Sequence, residues 1–348
     1  MTTTTTLAPD GEVLKRIELR SPEGLALQLI DWGAAWVSCQ VPMDTGPARE
    51  VLLGCGNLAD YFVQTDYLGA TVGRYANRIA NARFSRDGRE YVLDANQGGR
   101  HQLHGGKGGF SQRRWRIADR GPMHVRFEID SVDGDQGFPG NVTAAVTYRL
   151  EAGLQIMTDY EVTTDAATPV CLTNHAYFNL DGQRSDIRKH RLQIAASRYL
   201  PIDPEAIPLG HLDSVEGTGF DFREEKTVAR DFLRDEQQKQ VGGYDHAFLL
   251  DQPCLDCDHN AAQLVSSDGQ LAMLLYTTMP ALQFYAGQKL TGTPSRDARP
   301  YGECAGLALE TQFLPDSPNH PDYPQASCWL EAGEVWRHKT RLAFVRAS

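Results

Sequence analysis

The 348-residue sequence has no run of about 18 consecutive apolar residues, so no membrane-spanning helix is expected. It also lacks an excess of positive charge: 34 Lys and Arg stand against 45 Asp and Glu, giving a formal net charge of −11. A nucleic-acid or anionic-membrane partner would need a basic patch to displace counterions, so neither is expected. The start, "MTTTTTLAPDGEVLKR", has no basic segment leading into an apolar one, which argues against a secretory leader. Cysteines are few and odd in number: seven, at 39, 55, 171, 254, 257, 304 and 328. They make no disulfide framework, and a reducing, cytoplasmic setting is the expectation. Cys254, Cys257 and His259 in "CLDCDH" give half of a zinc spacing, but no second CxxC supplies the other two ligands. A polar surface loop is the better reading there.

Cofactor motifs are missing as well. "HQLHGGKGG" (101–109) is glycine-rich, yet Lys107 is followed by Gly and the phosphate-loop spacing is absent. Helical periodicity is scarce, with only "NLADYF" (57–62) and "ARDFLRDEQQKQ" (229–240) as short candidates. A length prior of ~150 residues per domain suggests two domains, but all-β units reach ~250 residues as one. No composition break or repeat divides the chain, so residues 1–348 are expected to form a single domain.

Alternation with period two is abundant. Ile156, Thr158, Tyr160 and Val162 share one face of "LQIMTDYEVTTD"; Val142, Ala144, Val146, Tyr148 and Leu150 share one face of "VTAAVTYRL". "VRFEIDSV", "LALQL", "HRLQIAA" and "LAMLLYTT" behave alike. Asp-Gly pairs at 87–88, 133–134, 181–182 and 268–269 tolerate positive φ and suit turns between strands. The expected fold class is all-β, an antiparallel sandwich or barrel with a few short helices.

Against that background "CLTNHAYFNL" (171–180) is anomalous. Read as a strand, it puts Thr173, His175, Tyr177 and Asn179 on one face, polar or amphipathic but without Lys or Glu. Such a face suits a pocket wall, with a hydrogen-bonded structural histidine as the plainer alternative. "GLALETQFLPDSPNHPDYP" (306–324) likewise sets Glu310 among Gly306, Ala308 and Gln312, so a carboxylate emerges beside small residues; an exposed edge glutamate is its plainer reading. "GATVGRYANRIANARF" (69–84) supplies Asn77 and Arg78, whose planar guanidinium fork can hold hydroxyls by paired hydrogen bonds. "GGYDHAFLL" carries Asp245 and "ALQFYAG" carries Gln283. One imidazole, one carboxylate and a ring of amide, guanidinium and aromatic groups suit a neutral polyhydroxylated ligand.

At these residues the chain resembles the aldose 1-epimerase (galactose mutarotase) family. "DWGA", "GRYANRIANARF", "HQLHGG", "DGDQGFPGN", "TNHAYFNL", "YDHAFLL", "ALQFY" and "ETQFLPDSPNHP" occur in family order across nearly the whole sequence. The resemblance implies one large antiparallel β-sandwich, with His175 as general acid and Glu310 as general base on opposite sides of the sugar's C1–O5 bond. It implies Asn77, Arg78, His104, Tyr177, Asp245 and Gln283 as sugar-holding groups, no metal or nucleotide, and a monomer or homodimer. Three other readings stay open: a hexose-6-phosphate epimerase using Lys107, Arg113 and Arg114; a hydrolase using Asp245 and Glu310; and a sugar-binding module without catalysis.

Overall fold

The alternating segments form the strands they predict. In the computed structural model, which describes residues 6–182, 185–252, 257–297 and 299–346, strand Gln155–Thr164 buries Ile156, Thr158, Tyr160 and Val162. Val142–Glu151 pairs with it in antiparallel register and buries Val146 and Tyr148 on the matching face. These belong to a nine-stranded sheet that continues through Val335–Arg346 and Leu271–Thr277. A six-stranded sheet runs through Tyr177–Phe178, Leu307–Gln312, Ala281–Tyr285 and Asp245–Leu249. A four-stranded sheet, from Arg16–Arg20 to Arg49–Glu50, contributes Leu27 and Trp36 to the main core. Every pairing within these three sheets is antiparallel.

Leu309 and Thr311 of the six-stranded sheet meet Tyr160, Leu275 and Leu342 of the nine-stranded one, closing an antiparallel sandwich. Apolar side chains carry most of that contact, each worth about 1.5–3 kcal/mol when fully buried. One polar cross-link lies between them: the Thr311 hydroxyl bonds His338 Nε2 at 3.0 Å and the Thr340 hydroxyl at 2.7 Å. Because Thr311 follows Glu310, this link fixes the strand that carries the carboxylate.

Some expectations need correction. The helix expected over 229–240 is two pieces, a 3₁₀ turn Val228–Asp231 and an α-helix Glu236–Val241. Leu233 is left-handed (φ 59°) between them, and the Asp235 carboxylate accepts the Gly219 N–H at 2.6 Å. The Asp87-Gly88 pair closes a two-strand hairpin, whereas Asp133-Gly134 lies in a longer connection whose Ser131, Val132, Pro139 and Gly140 carbonyls receive the buried Arg74 guanidinium. Of the "CLDCDH" segment, Cys254 lies outside the described residues. The Cys257 thiol donates to the Lys339 carbonyl, and His259 faces Asp258 at 2.7 Å.

The glycines of "HQLHGG" have a steric cause. Gly105 has φ +85°, and a Cβ there would stand 1.9 Å from the Gly73 carbonyl oxygen, on the segment leading into Asn77 and Arg78. Gly88 has a similar φ of +78° with nothing within 4 Å of that position. Gly88→Ala should therefore cost only the conformational strain, about 1 kcal/mol, while Gly105→Ala adds a backbone collision and should cost about 3 kcal/mol or more. Urea denaturation of the two variants checks the difference, and equal costs would contradict the close approach.

Candidate active site

Two cross-strand rows on the outer face of the six-stranded sheet form the floor. Register places Tyr177 opposite Ala308, Ala308 opposite Tyr285, and Tyr285 opposite Asp245. In the next row Glu310 stands opposite Gln283. Ala308 offers only a methyl group, which leaves open space beside the Glu310 carboxylate. That space is a cavity of about 210 Å³, lined by Asn77, Arg78, His104, His175, Tyr177, Asp245 and Glu310. Gln283 does not line the cavity itself; it donates to Asp245 Oδ1 at 2.7 Å.

The strand expected through 171–180 breaks at His175. Thr173–Asn174 pairs with Thr71–Val72, and Tyr177–Phe178 pairs with Leu307–Ala308, so the chain changes partners between them. His175 is held across this gap by its N–H to the Ala70 carbonyl (2.9 Å) and by the Gly69 N–H to its own carbonyl (3.0 Å). Alternation survives nearby: Asn174 donates to the Tyr148 hydroxyl on the core side, while the His175 and Tyr177 rings lie 5.0 Å apart on the cavity side. Thr173 and Asn179, expected to share that face, do not reach the cavity. Thr173 turns into the sandwich, and the Asn179 amide donates to the Ser185 and Ala305 carbonyls.

Opposite the floor, His104 and Asn77 lock each other in place, both with positive φ. The Asn77 N–H donates to His104 Nδ1 at 3.1 Å, and the His104 N–H donates to the Asn77 carbonyl at 3.0 Å. A ring nitrogen that accepts must be unprotonated, so neutral His104 carries its proton on Nε2. Arg78 is braced by Gln97 through its Nε (3.0 Å) and stands 3.6 Å from Asp245 Oδ2.

His175 Nε2 lies 3.7 Å from Glu310 Oε1, both side chains almost fully buried. Glu310 Oε2 and His175 Nδ1 have no hydrogen-bond partner among the described residues. Burial raises the Glu310 pKa to about 8, assisted by Asp245 and opposed by Arg78. Burial also lowers the His175 pKa to about 4 and pushes His104 well below the usual imidazole value. Burial thus favours the neutral forms of the pair, with the shared proton on the carboxyl group.

His104, His175 and Glu310 offer donor atoms within 4.8 Å of one another, a set that could in principle hold a cation. The tautomer opposes it. A metal at His104 Nε2 would displace the proton that the Asn77 N–H forces there, so the cluster fits hydrogen bonding better than ligation. The cations of the phosphate reading lie elsewhere. Arg113 pairs with Asp135 at 2.7 Å, Arg114 pairs with Asp10 and Asp31, and none of Lys107, Arg113 and Arg114 lines the cavity. Sequence reasoning missed Asp66, Tyr67, Gln97 and Lys289 in the wall, and gave Tyr285 only as an aromatic neighbour. They sit on irregular segments or at the ends of strands, where periodicity carries no signal.

A family model described as aldose 1-epimerase matches residues 15–343. The chain belongs to the aldose 1-epimerase family. It is 50% identical over 342 residues to the aldose 1-epimerase of Escherichia coli (strain K12), covering 98% of each chain. The galactose mutarotase of Rattus norvegicus is 38% identical, with 97% of this chain and 96% of the relative covered. Among solved structures, the galactose 1-epimerase from Lactobacillus acidophilus NCFM matches with a TM-score of 0.85 at 26% identity, covering 99% of this chain and 98% of that one. As a member of this family the chain is an isomerase with the galactose mutarotase-like fold.

The buried carboxyl group has a stability consequence. A folded-state pKa of about 8 against the ordinary glutamate value of 4.5 means that the folded protein holds an extra proton between those values. Its contribution is fully present below about pH 4.5 and is lost as pH rises through about 8. Glu310→Gln, which cannot ionise, should therefore raise Tm clearly at about pH 8, by the equivalent of about 2–4 kcal/mol, and little at about pH 5. Differential scanning calorimetry at both pH values checks this; a variant less stable than wild type at the higher pH would contradict it.

Proposed function

We propose that this enzyme interconverts the α and β anomers of free aldohexoses such as galactose and glucose, with His175 as acid and Glu310 as base. The observation that carries the reading is the 3.7 Å separation of His175 Nε2 and Glu310 Oε1 inside a cavity ringed by hydrogen-bonding groups. In a pyranose the ring oxygen O5 and the hydroxyl oxygen O1 share one carbon, so their acid and base must stand close together. Each needs to come within ~2.6–3.2 Å of its oxygen. The pair therefore converges on one hemiacetal, a tighter arrangement than two groups facing each other across the whole ring.

Reaction begins when Glu310 takes the proton of the C1 hydroxyl while His175 delivers one to O5. The C1–O5 bond breaks and leaves an open-chain aldehyde. Rotation about C1–C2 presents the other carbonyl face, and ring closure returns both protons. A sugar hydroxyl donating to Glu310 stabilises its ionised form, so substrate binding shifts the shared proton toward His175. Asn77, Arg78, His104, Tyr177 and Asp245 are positioned to hold the remaining oxygens, with Gln283 fixing Asp245.

Asp245 has both oxygens engaged, by Gln283 and by Arg78, which leaves it an acceptor for a hydroxyl rather than the second carboxylate of a hydrolase. The cavity draws on segments from Thr65 to Glu310, which supports residues 1–348 working as one unit with a whole site in each chain, as monomer or homodimer. Cys39, Cys55, Cys171, Cys304 and Cys328 are free and buried, in keeping with a cytoplasmic protein. No helix of the described residues is long and apolar enough to cross a membrane.

Polarimetry of freshly dissolved α-galactose tests the roles. His175→Ala and Glu310→Gln should each slow the enzymatic relaxation by ~10²–10⁴, and wild-type rates in either variant would overturn the assignment. In wild type, kcat/KM should be flat between limbs at about 4 and about 8, because one proton must remain on the pair. Below the lower limb there is no base; above the upper there is no acid.

A further inference from the structure

Tyr67 is a bulky residue in the left-handed region, with φ of 56°. A conformation of this kind persists where the surroundings over-determine it, and such residues concentrate at functional sites. The surroundings here are specific. The buried Gln64 side chain accepts the N–H of Asp66 at 2.8 Å and of Leu68 at 3.4 Å, one on each side of Tyr67. Asp66 is tied in turn by the Thr293 hydroxyl, Leu68 is packed in the core, and the Tyr67 carbonyl accepts the Ala70 N–H at 2.9 Å.

The held ring lines the cavity against both imidazoles. Its centroid is 4.6 Å from His104, edge-on, and 5.8 Å from His175, stacked at 29°. The two imidazoles are themselves edge-to-face at 5.2 Å. Among the described residues no other residue fixes the His175 ring by a hydrogen bond: its Nδ1 has no such partner, and Nε2 stands 3.7 Å from Glu310. Ring packing is therefore what sets its plane.

We infer that Tyr67 is a positioning residue, whose aromatic face orients the His175 imidazole toward O5 of the sugar and keeps water from both histidines. The inference rests on the proposed role of His175. The titratable and charged groups that face His175 are Tyr67, His104, Tyr177, Glu310, Arg78 and Asp245, so removing Tyr67 leaves every charged neighbour in place and changes only packing and hydration.

Tyr67→Gly tests this without a folding conflict, since glycine adopts positive φ freely. In NMR titrations of the free protein, the His175 imidazole should titrate at higher pH than in wild type, toward the unperturbed ~6.5. The same variant should lose ~10²-fold in kcat on galactose, the scale of a 1 Å misplacement. Tyr67→Phe, which keeps the ring, should restore both readouts to within about twofold of wild type. An unmoved His175 titration in Tyr67→Gly overturns the inference, whether or not kcat falls, and so does a rise in KM with kcat intact. If wild type itself fails to accelerate mutarotation, the proposed function fails, while the imidazole titration still decides the role of Tyr67.

Discussion

The proposed chemistry depends on one costly arrangement: a carboxyl group and an imidazole buried side by side, the carboxyl with no hydrogen bond from the described residues to hold its charge. In water each would ionise at its ordinary pKa and be satisfied by solvent. Inside the cavity both charges are disfavoured, so the proton that separates the neutral pair from the ion pair is easily moved by whatever enters. A sugar hydroxyl is a suitable entrant, because it donates to the carboxylate and so stabilises its charged form. A pair strongly paired to other protein groups would be more stable and less responsive.

The sandwich makes that arrangement tolerable by holding it from behind. Glu310 lies on a fully buried strand whose next residue, Thr311, is bonded to His338 and Thr340 of the nine-stranded sheet. His175 hangs between two short strands that pair with different partners, its backbone tied to Gly69 and Ala70. The positive-φ residues Asn77 and His104 brace one another in the wall opposite the floor, and their mutual bond also decides which nitrogen of His104 carries a proton. Rigid backbone thus does the positioning that hydrogen bonds to the reacting groups do elsewhere.

Much of this was legible in the sequence, and the reasons are specific. Strand alternation showed Ile156, Tyr160 and Tyr148 as core, because period two maps directly onto the buried face of an antiparallel sheet. His175 and Glu310 stood out as a titratable group on a face without Lys and a carboxylate among small residues. Alternation failed where the backbone leaves the ladder: Asn179 turned to carbonyls near Ser185 and Ala305, and the helix over 229–240 broke at left-handed Leu233. Tyr67 and Gln97 reach the cavity from irregular segments, and nothing in residue spacing reports a loop's direction. The separation of His175 and Glu310 was likewise invisible, since it follows from register between strands distant in sequence.

The central claim is that His175 and Glu310 address two oxygens on the same carbon. A crystal structure with galactose bound tests it most directly. The account predicts O5 within hydrogen-bonding distance of His175 Nε2, and the C1 hydroxyl within the same reach of Glu310, ~2.6–3.2 Å in each case. A sugar seated with C1 away from both groups, its other hydroxyls filling the space between them, would contradict the account.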